Sequence, residues 1–526
     1  MTALDRVGLQ VELLKAGDRP LKILFAPPFA IYSPNFVHDR LFSYALRLRG
    51  AEVIPVFCDA LQRVECNVYG GTWQGDASFP ENCAYCQKQA QLLWEDNPTP
   101  PIPLSEHVTP AEIEAITARV EAIQDDTWQA YQEDDLPFGR WAKDILVNNH
   151  VVADHTLIPN HERLGRAHLR NLMILKVAYG HVLEIVRPDR VVSNDSYYGM
   201  WAIMQLLCAK RGIPFYSYWP IGKTRTAAAF SDAAMSLDFR AAWPKFSSQP
   251  LTPAQQARVD EWMGSRLGKR DTLLITHQVD STVATDAVLS KLEPYKPTAL
   301  LPSNVIWDLA ALNKQVAFVD MMDWIISTID WFRDHPQFQL IIKTHPAELH
   351  PAIPETRERV EIVLRDRDVV LPENVHLLSP RVSVTAYQLF PLTKVGIVHT
   401  TTTGSEMVAE GIPVITSGRA PYRGYGFTHD PATRAEYFDL LERHLADPQE
   451  ASPSQRELAQ KFIYFQNFIY YNDLGFVENE WQQNSRLKVT STTDIMPGKM
   501  PNLDYVIDAI MDGLPILDAE RFPLDS

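Results

Sequence analysis

Cysteine and long apolar runs are both scarce in this 526-residue chain. Its five cysteines are an odd number in a large protein, which favours reduced thiols over a disulfide framework. No window approaches the ~20 apolar residues that are needed to span a bilayer. Residues 1–20 mix charged side chains with short apolar pieces and lack the uninterrupted apolar segment of a signal peptide. We therefore expect a cytoplasmic protein, at most peripheral at the inner face of the membrane.

Positive charge is also in short supply, because 49 Lys and Arg face 65 Asp and Glu, giving a formal net charge of −16 at pH 7. Such a surface repels polyphosphate as a whole, which disfavours a nucleic-acid-binding function. The remaining composition, with 46% apolar and 22% charged residues, is that of a globular chain. Domains of ~100–200 residues are usual, so the length predicts two large domains.

Apolar runs alternate with helical patterns in the first half of the chain. Leu21–Ala26 and Glu52–Phe57 flank a predicted helix, and Arg190–Asn194 precedes another helix and strand. This alternation predicts a parallel sheet covered by helices. We interpret the polar, helical segment from residue 66 to about residue 180 as an insertion.

A Ser- and Pro-rich linker at residues 244–253 leads into a predicted helix, Pro253–Leu267, and a second series of strands and helices follows. It begins with a predicted strand at Thr272–Thr276 and includes predicted helices at Val316–His335 and Ser383–Phe390. The fold class is thus α/β, with two doubly wound Rossmann-like domains. The expected domains are residues 1–243, residues 251–434, and a helical extension over residues 435–526 that packs back on the body.

Polar residues follow two predicted strands of the second series. Gln339–Lys343 leads into His345 and Pro346, while Val395–His399 opens into four consecutive threonines at residues 400–403. The first strand end offers a cation and an imidazole, and the second offers hydroxyls and N–H groups where a helix begins. Ligands of open α/β sheets bind beyond the carboxyl ends of the strands. Together these features favour binding of a nucleotide's phosphate.

Structural explanations exist for both motifs. A proline after a strand is an ordinary turn former, and a histidine there often hydrogen-bonds the backbone. The threonines, for their part, could serve simply to cap the helix that follows. Capping does not, however, require four hydroxyls followed by Gly404, a residue that lets the backbone approach a ligand closely.

Taken in chain order, these motifs resemble those of bacterial capsule and surface-polysaccharide biosynthesis glycosyltransferases. The residues that carry the resemblance are Asn304-x-x-Trp307-Asp308, Lys343-x-His345-Pro346, Ser383-x-x-x-Tyr387, Gly404-Ser405-Glu406, Gly411-Ile412-Pro413-Val414 and Tyr422-x-x-x-Gly426-x-Thr428. The resemblance is firm over residues 301–428 and thinner over residues 21–218. It implies a GT-B fold, with two domains facing a cleft, similar to transferases that use CMP-activated Kdo or sialic acid.

The resemblance implies an enzyme that moves a sugar from a nucleotide-activated donor to a capsule or other surface glycan or glycolipid acceptor. The N-terminal domain would bind the acceptor and the C-terminal domain the nucleotide-sugar. The implied donor-site residues are Lys343, His345, Pro346, Thr401, Thr402, Thr403, Gly404, Ser405 and Glu406. Glu406 would accept hydrogen bonds from ribose hydroxyls or cap its helix. Members that use CMP often have Ser-Ser or Ser-Thr at the threonine run, which leaves the donor base open.

An inverting transfer needs a base for the proton of the acceptor hydroxyl. Asp195, which follows the strand Arg190–Asn194, is the first candidate, with His155, His161 and Asp59 behind it. Asp195 could equally cap a helix.

Metal-independent catalysis is expected, because no Asp-x-Asp pair follows a strand in the middle of the chain. The cysteines Cys58, Cys66, Cys83 and Cys86 include one C-x2-C pair, so a structural zinc is an open alternative to small buried thiols.

Two other functions also remain open: an epimerase acting on a UDP-sugar, and a non-catalytic scaffold of a polysaccharide assembly complex.

Overall fold

The computed structural model describes most of the chain. The described residues are 20–27, 30, 32–62, 79–124, 127–195, 199–222, 224–268, 290–308, 311–349, 355–382, 384–479 and 485–518. The predicted strand at Thr272–Thr276, together with Cys66 and Ser383, lies outside them.

The chain divides into two compact units. Unit 1 comprises Met1–His150, Asp154–Leu237 and Ile469–Ser526, and unit 2 comprises Val151–Ala153 and Asp238–Phe468.

The strands are short and are numbered in chain order. They are β1 Lys22–Phe25, β2 Glu52–Phe57, β3 Ile102–Pro103, β4 Arg190–Asn194, β5 Phe215–Ile221, β6 Arg225–Phe230, β7 Thr298–Pro302, β8 Gln339–Lys343, β9 Val375–Leu378, β10 Val395–Val398, β11 Val414–Thr416, β12 Tyr471–Asp473, β13 Val477–Asn479 and β14 Ser485–Leu487.

The α-helices are numbered in the same way. They are α1 Ser33–Arg47, α2 Phe79–Leu93, α3 Pro110–Glu121, α4 Phe138–His150, α5 His161–Val186, α6 Gly199–Arg211, α7 Trp243–Ser247, α8 Pro253–Leu267, α9 Met321–Asp334, α10 Val360–Asp366, α11 Thr403–Ala409, α12 Arg434–Ala446, α13 Pro453–Tyr464 and α14 Pro501–Asp512.

The described sheet of unit 1 has the strand order β12-β6-β5-β4-β1-β2-β3. Strands β1 to β5 run parallel, while β6 and β12 add to one edge in antiparallel fashion. Because β2 lies on one side of β1 and β4 on the other, the strand order reverses between β1 and β4. Such a topological switch point opens a crevice beyond the carboxyl ends of the strands.

The described sheet of unit 2 repeats this plan with five parallel strands in the order β11-β10-β7-β8-β9. Here β8 and β10 flank β7, and the order reverses between β7 and β10. Counted within the unit, both sheets contain the 3-2-1-4-5 order of doubly wound folds. The structure thus confirms an α/β architecture built on parallel sheets.

Capping boxes fix where several helices begin. At α8, the Thr252 side chain accepts from the Gln255 N–H while the Gln255 side chain accepts from Thr252, and Pro253 opens the helix. The same reciprocal pair, Thr433 with Glu436, precedes α12. Each box satisfies two N–H groups that no helical carbonyl can reach, and proline is suited to the first helical position.

Each unit has its own apolar core. In unit 1, α1 packs with Phe25 of β1, Val192 of β4 and Ile507 of α14. In unit 2, Trp324 of α9 packs with Ile342 of β8 and other residues of the sheet. Burial of each such side chain contributes about 1.5–3 kcal/mol, which holds the polar strand ends described below in place.

Three elements differ from the sequence prediction. The helix predicted at Val316–His335 begins only at Met321, because the Asp320 side chain accepts from the Asp323 N–H and caps it there. The helix predicted at Ser383–Phe390 is a 3₁₀ helix, Ala386–Leu392, which contains Pro391; proline removes a helical donor. The tail is not wholly helical, since β12 joins the unit 1 sheet and β13 pairs with β14.

Candidate functional site

The polar residues of unit 2 meet at the carboxyl edge of its sheet. Asn304 follows β7, and its Oδ1 accepts a hydrogen bond from the Thr400 N–H beyond β10, at 3.2 Å. This bond crosses the switch point. Both side chains are buried, at 9% and 6% exposure, and Thr400 Oγ1 has no hydrogen-bond partner among the described residues. A buried hydroxyl without a partner marks a position where a ligand or water could bind.

His345 lies at the same edge, one strand further along. Its Nδ1 accepts from the Ala347 N–H at 3.1 Å, so Nδ1 carries no proton in this arrangement. The 3₁₀ helix Pro346–Leu349 forms the rest of the turn. Since β7 separates β8 from β10, the His345 and Thr400 strand ends are about 10 Å apart, two strand spacings.

Two buried charged groups lie at the base of the His345 turn. Lys343 Nζ donates to the carbonyls of Ser379 and Val382, at 3.0 and 3.4 Å, and burial lowers the pKa of Lys343 to about 8. Glu348 is fully buried; one carboxylate oxygen accepts from the Val360 N–H, and the other has no partner among the described residues. Burial raises the pKa of Glu348 to about 7. The hydrogen bonds of the Lys343 ammonium thus go to the main-chain carbonyls of Ser379 and Val382.

The threonine-rich turn after β10 is organised by its own hydroxyls. Thr401 Oγ1 donates to Thr403 Oγ1 at 3.2 Å and accepts from the Thr403 N–H at 3.4 Å. Ser405 Oγ donates to the Thr402 carbonyl at 2.8 Å. Thr402 occupies the N-cap position of α11 without capping it through its side chain. Thr401, Thr402 and Thr403 are only partly buried.

Gly404 is required by packing against Tyr422. A Cβ built on Gly404 would lie 2.0 Å from Tyr422 Oη and 2.9 Å from Cζ. The same hydroxyl donates to the Thr401 carbonyl at 2.6 Å. The absence of a side chain at Gly404 therefore lets Tyr422 brace the threonine turn. The close approach of a ligand that was expected from the sequence stays a prediction.

Glu406 lies in a buried ion pair below the turn. Its Oε1 accepts from Arg266 Nε at 2.9 Å, and its Oε2 accepts from the Tyr387 hydroxyl at 2.7 Å. The Arg266 guanidinium also lies 5.1 Å from the centre of the Tyr387 ring. Both carboxylate oxygens are thus engaged, and neither caps α11. Binding of ribose by Glu406 stays a prediction, and it would require this pair to open.

Two arginines near the site bond to the main chain. Arg423 donates to Thr416 Oγ1 at 2.6 Å and to the carbonyl of Pro431 at 2.7 Å. Arg419 donates to the carbonyl of Asn313. Arg423 therefore fixes the loop after β11.

The candidate bases belong to unit 1. Asp195 directly follows β4 and is 5% exposed. His155 is buried edge-on against Trp128, with ring centres 5.7 Å apart, and burial lowers its pKa. His161 packs edge-on against His155. Asp59 accepts from the Ser105 N–H at 3.0 Å. Of these, Asp195 is the one placed at the switch point between β1 and β4.

Among the described residues, no group of three or more His, Cys, Asp or Glu side chains is arranged to hold a metal ion. Cys83 and Cys86 lie on α2, where Cys83 Sγ accepts from Gln87 Nε2 at 3.4 Å. The proposed fourth cysteine, Cys66, is outside the described residues. Every helix within the described ranges is too short or too polar to cross a membrane.

Sequence reasoning missed Arg266 and the role of Tyr422. Arg266 sits in the last turn of α8, where a basic residue is usual, so nothing marks it as the partner of Glu406. Tyr422 belongs to one of the sequence motifs, but only its contact with Gly404 shows that position 404 has no room for a side chain.

No protein-family description matches the sequence, and no curated protein matches it either. Among solved structures, the chain is similar to the Thermosulfurimonas dismutans KpsC beta Kdo 2,4 transferase, with a TM-score of 0.34, 11% identity, and coverage of 59% of this chain and 87% of that one. It is also similar to the UDP-GlcNAc 2-epimerase from Neisseria meningitidis, with a TM-score of 0.25, 12% identity, and coverage of 85% and 100%. Likenesses at this level assign no activity.

Proposed function

We propose that this protein is a glycosyltransferase of GT-B fold that moves a sugar from a nucleotide-activated donor to a surface glycan or glycolipid acceptor. The observation that carries the proposal is the polar edge of the unit 2 sheet. There Asn304, His345 and Thr400 follow three adjacent strands, at the position where doubly wound sheets bind nucleotides.

The phosphate of the donor would bind at the turn that follows β10. Thr401, Thr402 and Thr403 present hydroxyls. Thr400 Oγ1 is a further, buried hydroxyl that has no partner among the described residues. Hydroxyls both donate and accept hydrogen bonds. Because α11 has only seven residues, recognition would depend on these hydroxyls more than on a helix dipole.

The nucleoside would extend from that turn towards His345 and Pro346. With Nδ1 engaged by the Ala347 N–H, the neutral imidazole carries its proton on Nε2 and can donate from there. A single strand lies between the two strand ends, so one ligand could contact both. Lys343 would contribute indirectly, by holding the carbonyls of Ser379 and Val382 in the adjoining loop.

The transfer itself would be a displacement at the anomeric carbon. The acceptor oxygen forms the new glycosidic bond, the bond to the phosphate oxygen breaks, and the nucleotide leaves with that electron pair. The proton of the acceptor hydroxyl passes to a base, for which Asp195 is the leading candidate. No metal or other cofactor is part of the proposed step.

A nucleotide panel tests the proposal. The melting temperature of the protein is measured with CMP, UDP and GDP, since a ligand at a hundred times its Kd stabilises the fold by ~2.7 kcal/mol. The nucleotide that stabilises is then supplied as its sugar conjugate, with and without a glycan acceptor. Acceptor-dependent release of nucleotide supports transfer, whereas isomerisation of the sugar without acceptor identifies an epimerase. A protein that no nucleotide stabilises fits the scaffold function instead.

A further inference from the structure

The switch point of unit 1 contains two buried asparagines whose side-chain amides have no partner. Asn35, in the first turn of α1, is 0% exposed, and Asn194, the last residue of β4, is 2% exposed. For both residues, Oδ1 and Nδ2 lack a hydrogen bond to any part of the chain that the structure describes. Among the described residues, all four side-chain amide atoms of this pair are thus without partners.

Tyr218 places the two asparagines on the same face of the sheet. Asn194 pairs in register with Tyr218 of the adjacent parallel strand β5, so their side chains project to the same side. The Tyr218 hydroxyl donates to the carbonyl of Asn35 at 3.2 Å and to Asp39 Oδ1 at 2.6 Å. Asn194 therefore faces the layer formed by the beginning of α1, where Asn35 lies.

The two unpaired amides lie beside other polar side chains that do have partners. In the same layer, His38 Nδ1 bonds the carbonyl of Pro34 and His38 Nε2 bonds Thr226 Oγ1, both at 2.7 Å. A buried polar group without a partner costs ~1–3 kcal/mol, and such groups are rare in folded proteins. Two whole amides left unpaired at a switch point, beside satisfied neighbours, indicate a binding site.

The chemistry of the site favours an uncharged, hydroxyl-rich ligand. An amide offers a carbonyl acceptor and two N–H donors, which match hydroxyl groups that both donate and accept. The buried carboxyl group of Asp39, bonded to Tyr218, would oppose a phosphate or carboxylate by like charge whenever it is ionised. We propose that Asn35 and Asn194 form a binding site in unit 1 for an uncharged sugar ring.

This site would receive the acceptor if the proposed transferase function holds, because Asp195 follows Asn194 directly. Sugar binding itself does not depend on that function. A protein without transferase activity would still bind sugar here, so the two proposals fail separately.

The first test uses the wild-type protein. Calorimetric titrations with free glucose, galactose and N-acetylglucosamine are compared with titrations with inorganic phosphate. We expect saturable binding of at least one sugar. Asn194→Leu and Asn35→Leu should each weaken it about tenfold or more, the effect of losing hydrogen bonds, while any response to phosphate is unchanged. Absence of saturable sugar binding to the wild type, or wild-type affinity in both variants, would overturn the proposal.

Stability provides the second test, because leucine is close to asparagine in shape and needs no hydrogen bonds. Asn374→Leu is the matched control: its amide is buried and donates to the carbonyls of Phe332 and Phe338, at 2.9 and 2.8 Å. The control should lower the melting temperature, whereas Asn194→Leu should maintain or raise it. If Asn194→Leu lowered the melting temperature as much as the control does, the Asn194 amide would have to be hydrogen-bonded within the native protein. That result would contradict a ligand site.

Discussion

Asn304 Oδ1 accepts the N–H of Thr400 at 3.2 Å, joining two loops that are almost a hundred residues apart in the chain. The bond crosses the point where the strand order of unit 2 reverses. Asn304 therefore sets the position of the first threonine in the proposed phosphate site.

Two substitutions of Asn304 separate its effect on stability from its effect on nucleotide binding. Asn304→Leu leaves the buried Thr400 N–H without an acceptor, which should lower the free energy of unfolding by ~1–3 kcal/mol. Asn304→Asp retains the acceptor oxygen, so urea unfolding should show a smaller loss. Its negative charge should nevertheless weaken nucleotide binding. Equal stability of the wild type and the leucine variant would show that the bond does not hold the turn.

Gly404 and Tyr422 should be energetically coupled. Gly404→Ala puts a methyl group against the Tyr422 hydroxyl and should destabilise the protein by ~1–3 kcal/mol, the usual range for overpacking. Tyr422→Phe removes the hydroxyl that makes the shortest contact. The double variant should therefore lose less than the sum of the single losses, measured as a double-mutant cycle. Simple additivity would indicate that the backbone moves instead.

Breaking the buried ion pair between Arg266 and Glu406 should lower the free energy of unfolding. Either Arg266→Met or Glu406→Gln leaves a charged or polar partner buried, and loss of ~3–5 kcal/mol is expected when one partner of a buried pair is removed. The double variant Arg266→Met/Glu406→Leu should be more stable than the Arg266→Met variant, because no unpaired carboxylate remains. Denaturant titration of the three proteins measures this. A double variant less stable than both single variants would argue against the buried-charge explanation.

Glu348 should make stability depend on pH. Its pKa rises from an ordinary 4.5 to about 7 on burial, so the folded protein retains a proton that the unfolded chain releases. The associated stability is complete below about pH 4.5 and is lost as the pH rises through about 7, a fall of roughly 3 kcal/mol. Glu348→Gln should lack this fall. Unfolding curves at several pH values compare the two proteins, and identical pH profiles would exclude a buried, titrating Glu348.

Much of the architecture could be predicted from local signals. The helix at Pro253–Leu267 agrees with its prediction at both ends, because Thr252 and Gln255 form a capping box around a favourable proline. The strands Glu52–Phe57 and Gln339–Lys343 also match. The β6 strand was missed because its Ala-rich segment has little strand preference.

The contacts that shape the candidate site are long-range and could not be predicted in this way. Arg266 and Glu406 are 140 residues apart, and neither neighbourhood indicates the pairing. Likewise, the sequence shows polar residues at Asn35 and Asn194, but only the packed structure shows that their amides lack partners. Strand ends are local properties, whereas the satisfaction of a buried polar group depends on the whole fold.

Nucleotide binding by His345 variants tests the central claim most directly. Wild-type protein, His345→Ala and the control His376→Ala are titrated with the nucleotide that gives the largest thermal stabilisation. His376 is a suitable control because it is on β9 and bonds Gln339 Oε1 at 3.1 Å. We predict that His345→Ala loses the nucleotide-dependent rise in melting temperature while keeping the ligand-free value, and that His376→Ala keeps the rise. Full stabilisation of His345→Ala by nucleotide would contradict the proposed donor site.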